Sequence, residues 1–490
     1  MTANRSKLLT DVIELGHEIA TEVPSVAGDV DNIVGRAEEP LRVAIAGKVK
    51  AGKSTLLNAL VGDELAPTDA GECTKVVTWY QHGLVYKVTM LGKDGEVSPL
   101  PFTREDGAID IDLSGCDISE IDRLNVEWPE KTLSEMTLID TPGIASLSTE
   151  ISQRSHSFLT PGDESSTPSD AVIYLLRHLH ASDVSFLHSF HEDEYAQPSP
   201  INCVAVLSRA DEVAVGRLDA MESAHTIAHR YAQDPRLRRL VQTVMPVAGL
   251  LAQAGTGLRE LEYRRLRKLA EASVEETEKL LLSADRFSTA ETSTGLDEVS
   301  RRALLARLGV FGVRRAVHSI RTGEVESTSA LATLLREESG IDLLRETLLD
   351  VFGARRDTLK ARSALVALQR LVAQHQLSSD LDARIERIVA GAHEFTELRI
   401  LTELRSGMLR VSDDDLADIE RLLGGSGTAV NRRLGLDEDT GGEAQRAALL
   451  REMARWREQA ESPMSARPLA AAAKVAVRSC EGMFVEMVET

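Results

Sequence analysis

The sequence predicts an α/β domain with a mainly parallel sheet, joined to an elongated α-helical bundle. Three observations carry that expectation. Between residues 41 and 248, short apolar runs without polar alternation are separated by helical stretches, the pattern of strands covered on both faces. Beyond about 256 the strand pattern disappears and helical periodicity continues almost to the last residue. The chain is 490 residues long, which at roughly 150 residues per domain is material for about three domains.

Taken in order, residues 5–23 read as an amphipathic helix with Leu8, Leu9, Val12, Leu15 and Ile19 at helical spacing, expected to pack against the C-terminal helices. The strand-like runs are LRVAIAG (41–47), VVTWYQ (76–81), YKVTMLG (86–92), MTLID (136–140), AVIYLL (171–176), INCVAVLS (201–208) and QTVMPVAG (242–249). The polar stretch 161–170 reads as a mobile loop. Helical periodicity follows over 257–283, 299–321, 328–376, 380–406, 413–423, 443–461 and 466–488, interrupted by Gly- and Ser-rich breakers. No fixed repeat period joins these segments, so a solenoid is not indicated. The expected division is 1–35, a helix packing with the later bundle; 36–355, the α/β domain with a helical insertion around 256–335; and 356–490, helical throughout.

Composition narrows the function. Asp plus Glu outnumber Lys plus Arg 77 to 56, a net charge of −21 with a pI near 5.1. Such a chain repels phosphate backbones, and aromatics at 4% provide few stacking platforms, so nucleic acid is not an expected partner. Cys73, Cys116, Cys203 and Cys480 are scattered without a C-x-x-C pair, which fits a reducing cytoplasm. No apolar window is long enough to predict a transmembrane helix, so any membrane contact is expected to be peripheral.

The strongest motif is Gly47-Lys48-Val49-Lys50-Ala51-Gly52-Lys53-Ser54, a G-x-x-x-x-G-K-S between an apolar strand and a helix-like run beginning at Thr55. Its backbone N–H groups can curl around phosphate oxygens, Lys53 can neutralise the β- and γ-phosphates, and the Ser54 hydroxyl can reach Mg²⁺. Asp140-Thr141-Pro142-Gly143 follows the strand MTLID, where Asp140 can hold Mg²⁺ through water and the Gly143 N–H can reach the γ-phosphate. Ser208-Arg209-Ala210-Asp211 follows another strand. The Asp211 carboxylate there can accept from N1–H and N2–H of guanine, which adenine does not offer, while the Arg209 stem lies along the base. Val247-Ala248-Gly249 is a weaker candidate for a backbone N–H near the base oxygen. Between the first two motifs, Thr74 is the favoured hydroxyl to complete the Mg²⁺ shell in a switch segment, with Thr68 its competitor. The ligands expected are therefore GTP or GDP and Mg²⁺.

The run GKVKAGKSTLLNALVGDELAPTDAGECTKVVT, with DTPG, SRAD and the later SGIDLLRETLLDVFGARRDTLKARSAL (339–365), resembles the bacterial dynamin-like GTPases. Within them it is most similar to the mycobacterial isoniazid-inducible dynamin-like proteins, in particular the shorter, C-type kind. The resemblance implies a GTPase head, a helical neck and trunk, and nucleotide-dependent self-association through the head. It also implies peripheral binding and remodelling of membrane lipids, with a paralogous dynamin-like protein as a possible partner and a place at the inner face of the cell membrane. Dynamins carry Gln where Val49 stands here, and Val49 cannot orient water by a side-chain hydrogen bond. Lys50, the next residue, resembles the internal arginine finger of guanylate-binding proteins and is a candidate cis cation, the alternative being a solvated loop lysine. Val49 motivates a rival reading, a GTP-dependent scaffold with little hydrolysis.

Further clusters attract weaker readings. His178, His180, His188 and His191 form a histidine-rich stretch better read as surface than as a metal site. Two stretches free of acids are candidates for lipid contact: 299–323, with six arginines, and the loop 424–436, with Arg432 and Arg433. The loop is the favoured one.

Overall fold

A computed structural model of the chain describes residues 5–63, 65–66, 76–105, 108–113, 116–142, 169–191, 202–405, 407–409, 411–425 and 427–489. The α/β half is built on β1 (Leu41–Gly47), β2 (Val77–His82), β3 (Lys87–Gly92), β4 (Val97–Pro99), β7 (Ile121–Trp128), β8 (Met136–Asp140), β9 (Ala171–Leu176), β10 (Cys203–Ser208) and β11 (Val244–Val247). These form one sheet in the order β11-β10-β9-β1-β8-β2-β7-β3-β4; β5 (Phe102–Glu105) and β6 (Ala108–Ile111) form a separate hairpin.

The sheet is parallel from β11 to β8 and mixed beyond it. β1 lies between β8 and β9, parallel to both, and β10 continues the parallel set to β11. β2 runs antiparallel to β8, and β3 antiparallel to both β7 and β4. The central strands are buried along nearly their whole length, so both faces are covered. One face packs on the helices between 220 and 338, the other on the helix Lys53–Val61 and the segment from Ile341 to Leu359.

The helical half holds two further cores. The N-terminal helices Lys7–Glu22 and Ala27–Glu38 pack against Arg356–Gln374 and Ser379–Gly391 through Leu9, Val12, Ile19, Leu365 and Leu368. Residues 395–487 close around Trp456, with the paired helices Gly442–Glu461 and Arg467–Glu489 as the framework. Three arginines fasten this second bundle to the α/β half. Arg405 donates to the Gln242 carbonyl at 3.1 Å and to Glu420 at 2.7 Å; Arg238 pairs with Glu420 at 3.0 Å; buried Arg355 donates to the carbonyls of Leu423 and Gly424 at 3.1 and 2.7 Å.

Both segments expected to touch lipid are corrected by these contacts. Arg432 is engaged by Glu346 at 2.5 Å, Asp350 and Glu438, and Arg433 by Glu397 and the Leu422 carbonyl, so both arginines of that loop turn to the protein. In 299–323, Arg301, Arg307, Arg314, Arg315 and Arg321 turn inward to backbone carbonyls or carboxylates, and Arg302 pairs with Glu298. An excess of arginine in an acid-poor stretch marks a helix whose counter-charges come from other elements. No described helix is long and apolar enough to cross a membrane.

The N-terminal helices meet the sheet at a buried charge cluster. Asp170, just before β9, receives Lys360 at 3.0 Å and Arg36 at 3.4 Å, accepts from the Arg42 N–H at 2.9 Å and from Ser363 at 2.9 Å. Burial alone raises the pKa of this carboxyl, but Lys360 and Arg36 outweigh it and hold the group below the usual carboxylate range. Removing the single anion leaves two buried cations without a counter-charge. Asp170→Asn is therefore expected to destabilise the fold by about 3–5 kcal/mol, read as an earlier denaturation midpoint, whereas an exposed pair such as Arg264–Glu260 changes it by less than about 1 kcal/mol.

Candidate functional site

The carboxyl ends of β1, β8, β9, β10 and β11 line one rim of the sheet, where open α/β sheets place their ligands. The loop after β1 begins at Gly47, which opposes Leu175 of β9; a Cβ there lies 2.7 Å from the Leu175 carbonyl oxygen, so only glycine permits this approach. Gly52 caps the helix Lys53–Val61, whose N-terminal N–H groups face the loop. The Lys53 ammonium arches back over the loop, 3.4 Å from the carbonyl oxygens of Gly47 and Lys48. Burial lowers its pKa, and Asp140 opposes that shift.

Register brings the second motif to the first. Asp140, the last residue of β8, pairs with Ile45 of β1, and the Thr141 hydroxyl donates to the Ile45 carbonyl at 2.9 Å. The Ser54 hydroxyl donates to Asp140 Oδ2 at 3.1 Å, while Asp140 Oδ1 is buried with no hydrogen-bond partner among the described residues. Burial raises the Asp140 pKa against the opposing pull of Lys53 and Ser54. The Ser54 hydroxyl and the Asp140 carboxylate, whose Oδ1 lacks a partner, form a hard-oxygen donor set that fits Mg²⁺.

On the far side of β1 a cleft is lined by Ala51, Gly52, Thr55, Leu56, Ser208, Arg209, Asp211, Val247, Gly249 and Leu250, among others. Asp211 is buried in its wall, and burial pushes its carboxyl up to about 6, with the neighbouring Glu212 adding to the shift. Arg209 adopts φ +54°, and its guanidinium is held by Glu212 at 2.8 Å; Arg177 grips the same carboxylate at 2.5 Å. Ala248 does not face the cleft: its N–H donates to the Ser339 carbonyl at 2.9 Å, and Gly249 and Leu250 take that place.

Lys50 is exposed and sits at φ +63°, the left-handed region that a residue with a Cβ enters at a cost. Val49 beside it is 48% exposed. Thr74, Thr68, Gly143 and the 161–168 part of the expected mobile loop lie outside the described residues. Sequence reasoning missed the anchor of Lys48. Its ammonium lies 3.1 Å from Asp183, a buried carboxylate that also accepts from the Tyr174 hydroxyl at 2.8 Å and the His180 N–H at 2.9 Å. An Asp two residues into a helix beyond a strand's carboxyl end was the available signal, obscured by the histidines around it.

A model of the dynamin family matches residues 43–188. Over 466 residues, 94% of both chains, the protein is 41% identical to the isoniazid-induced protein IniC of Mycobacterium tuberculosis. The chain belongs to the dynamin family. The dynamin head spans the first two motifs, and a shorter match, 34% over 115 residues, joins it to a bacterial dynamin-like protein of Nostoc punctiforme; that match covers 21% of this chain and 16% of the relative. A dynamin-family domain is a GTPase domain, which is the context in which Lys53, Asp140 and Asp211 meet at one rim.

With Asp211 as the guanine reader, its raised pKa would give binding a pH dependence with a definite sign: guanine would need the ionised carboxylate, so below about pH 6 a proton would have to leave before the base bound. Affinity for GDP is expected to be level above about pH 7 and about fourfold weaker at pH 5.5, where the chain is still above its isoelectric region. Titration calorimetry checks this, with Asp211→Asn as the reference that carries only the titration of the diphosphate. A pH profile identical in both proteins contradicts it.

Proposed function

We propose that this dynamin-family protein hydrolyses GTP to GDP and phosphate and couples the cycle to self-association through its head and to peripheral binding and remodelling of lipid membranes. The observation that carries the nucleotide part is the convergence of Lys53, the Ser54–Asp140 pair and the buried Asp211 on one continuous rim. In this reading the loop Gly47–Ser54 cradles the phosphates, with Lys53 between them, and Thr55 and Ala51 border the ribose side of the cleft. Ser54 and Asp140 would hold Mg²⁺, with Thr74 completing its shell. An ion held there would supply charge neutralisation to the phosphates. Asp211 reads the base, Arg209 flanks it, and Gly143 meets the γ-phosphate. Lys50 is the candidate cis cation, exposed on the loop and free to swing toward a triphosphate. A paralogous dynamin-like protein is a further candidate partner, and the inner face of the cell membrane the proposed place of action.

The exposed Val49 favours a second reading, a GTP-dependent scaffold in which binding persists and turnover is negligible. With no polar side chain at that position, water must be oriented by another group, brought by assembly or by the switch segment. The two readings part in one assay: phosphate release measured against protein concentration, with and without anionic liposomes. The hydrolase reading expects turnover per molecule to rise with concentration and to rise again with liposomes. Turnover that stays near background under every condition, with GTP still bound, selects the scaffold.

A further inference from the structure

The base-reading loop holds a strained conformation that its own hydrogen bonds, such as Arg217 N–H to the Ala214 carbonyl at 3.4 Å, share with a contact from outside it. Ala214, Val215 and Gly216 follow one another at φ +51°, +59° and +64°, a left-handed turn in which two residues carry a Cβ and one is β-branched. Such residues persist only where their surroundings hold them. Val215 is 82% exposed, so its own side chain anchors nothing.

The anchor comes from the helix Glu298–Thr322. Arg314 on that helix donates to the Gly216 carbonyl through one nitrogen and to the Leu281 carbonyl, at 2.6 Å, through another. The same helix is interrupted at Gly309, whose φ +66° and ψ 178° belong to glycine alone. The interruption falls against the base reader: a Cβ at Gly309 lies 3.4 Å from Asp211 Oδ2 and 3.7 Å from Leu250 of the cleft. One helix, distant in sequence from every nucleotide motif, therefore touches both ends of the loop that begins at Ser208.

We infer that the helix Glu298–Thr322 is a specificity element of the guanine site, with Gly309 and Arg314 as positioning residues for the Asp211 carboxylate. Accepting from N1–H and N2–H together fixes the plane of the carboxylate as well as its place. A Cβ at residue 309 meets Asp211 at ordinary contact distance but is strained at φ +66° and ψ 178°, so the helix break that lies against the carboxylate shifts, and loss of the Arg314 fork releases the strained turn that follows Asp211. Either change costs the second hydrogen bond before the first. The inference rests on the guanine reading above and adds to it a determinant outside the dynamin head's phosphate and base motifs.

The test compares GDP with inosine diphosphate, which lacks only the 2-amino group, by calorimetry on the full chain with Mg²⁺. Wild type is expected to prefer GDP by about tenfold or more, the worth of one hydrogen bond to a charged group. Gly309→Ala and Arg314→Gln are each expected to weaken GDP by about tenfold and inosine diphosphate by less than about twofold, so that the preference collapses. Equal losses for both nucleotides, or an unchanged preference, overturn the inference. If Gly309→Ala does not fold, Arg314→Gln decides by the same ratio. A wild-type chain that binds ADP as tightly as GDP overturns the guanine reading itself, a result that neither mutant ratio can imitate.

Discussion

The parallel pairing of β1 with β8 on one side and β9 on the other is the constraint from which the nucleotide rim follows. Parallel neighbours end on the same side, so strand pairing alone delivers the loop after β1 and the aspartate closing β8 to each other. The Ile45–Asp140 register brings the Ser54 hydroxyl within 3.1 Å of the Asp140 carboxylate. A slip of one residue turns Asp140 to the other face of the sheet and removes it from the site. β9 then carries β10 outward, which sets Asp211 across the cleft from the Gly47–Ser54 loop by the width of one strand.

Charge is distributed between the two ends of these strands in different ways. At the carboxyl ends, Asp211 is buried and Lys53 and Asp140 are half-buried, with their charges only partly answered, and loss of solvent is the leading cause of the shift in each. Such a site gains from a ligand that brings phosphate to the lysine and guanine donors to the aspartate. At the amino ends, Asp170 is answered in full by Lys360, Arg36 and Ser363, and there the cluster binds the sheet to the N-terminal and 356–374 helices. The strand between them is six residues, about 20 Å, so a ligand at one end lies within one rigid element of the helical junction at the other.

The parallel half of the sheet and the rim were legible because their signals are local. Short apolar runs announce β1, β8, β9 and β10, and motif residues directly follow or close β1, β8 and β10. The antiparallel edge was less so. β4 to β6 are three or four residues long, and β7, IDRLNVEW, alternates buried and accessible positions in a stretch that lacks a strong apolar run. What the sequence hides most is pairing across distance. Of the three carboxylates on Arg432 only Glu438 is near in sequence; Glu346 and Asp350 lie about eighty residues away, and nothing local shows them. Asp183 escaped notice because only the fold sets it beside Lys48, and the break at Gly309 has no meaning until Asp211 is seen against it.

A crystal structure of the chain grown with GDP and Mg²⁺ shows whether one rim binds phosphate, ion and guanine together. The expected result is the diphosphate wrapped by the Gly47–Ser54 loop with Lys53 against it, the ion beside Ser54 on the Asp140 side, and the base in the cleft with N1 and N2 facing Asp211. A nucleotide seated with its base away from Asp211, or an ion held without Ser54 and Asp140, contradicts it.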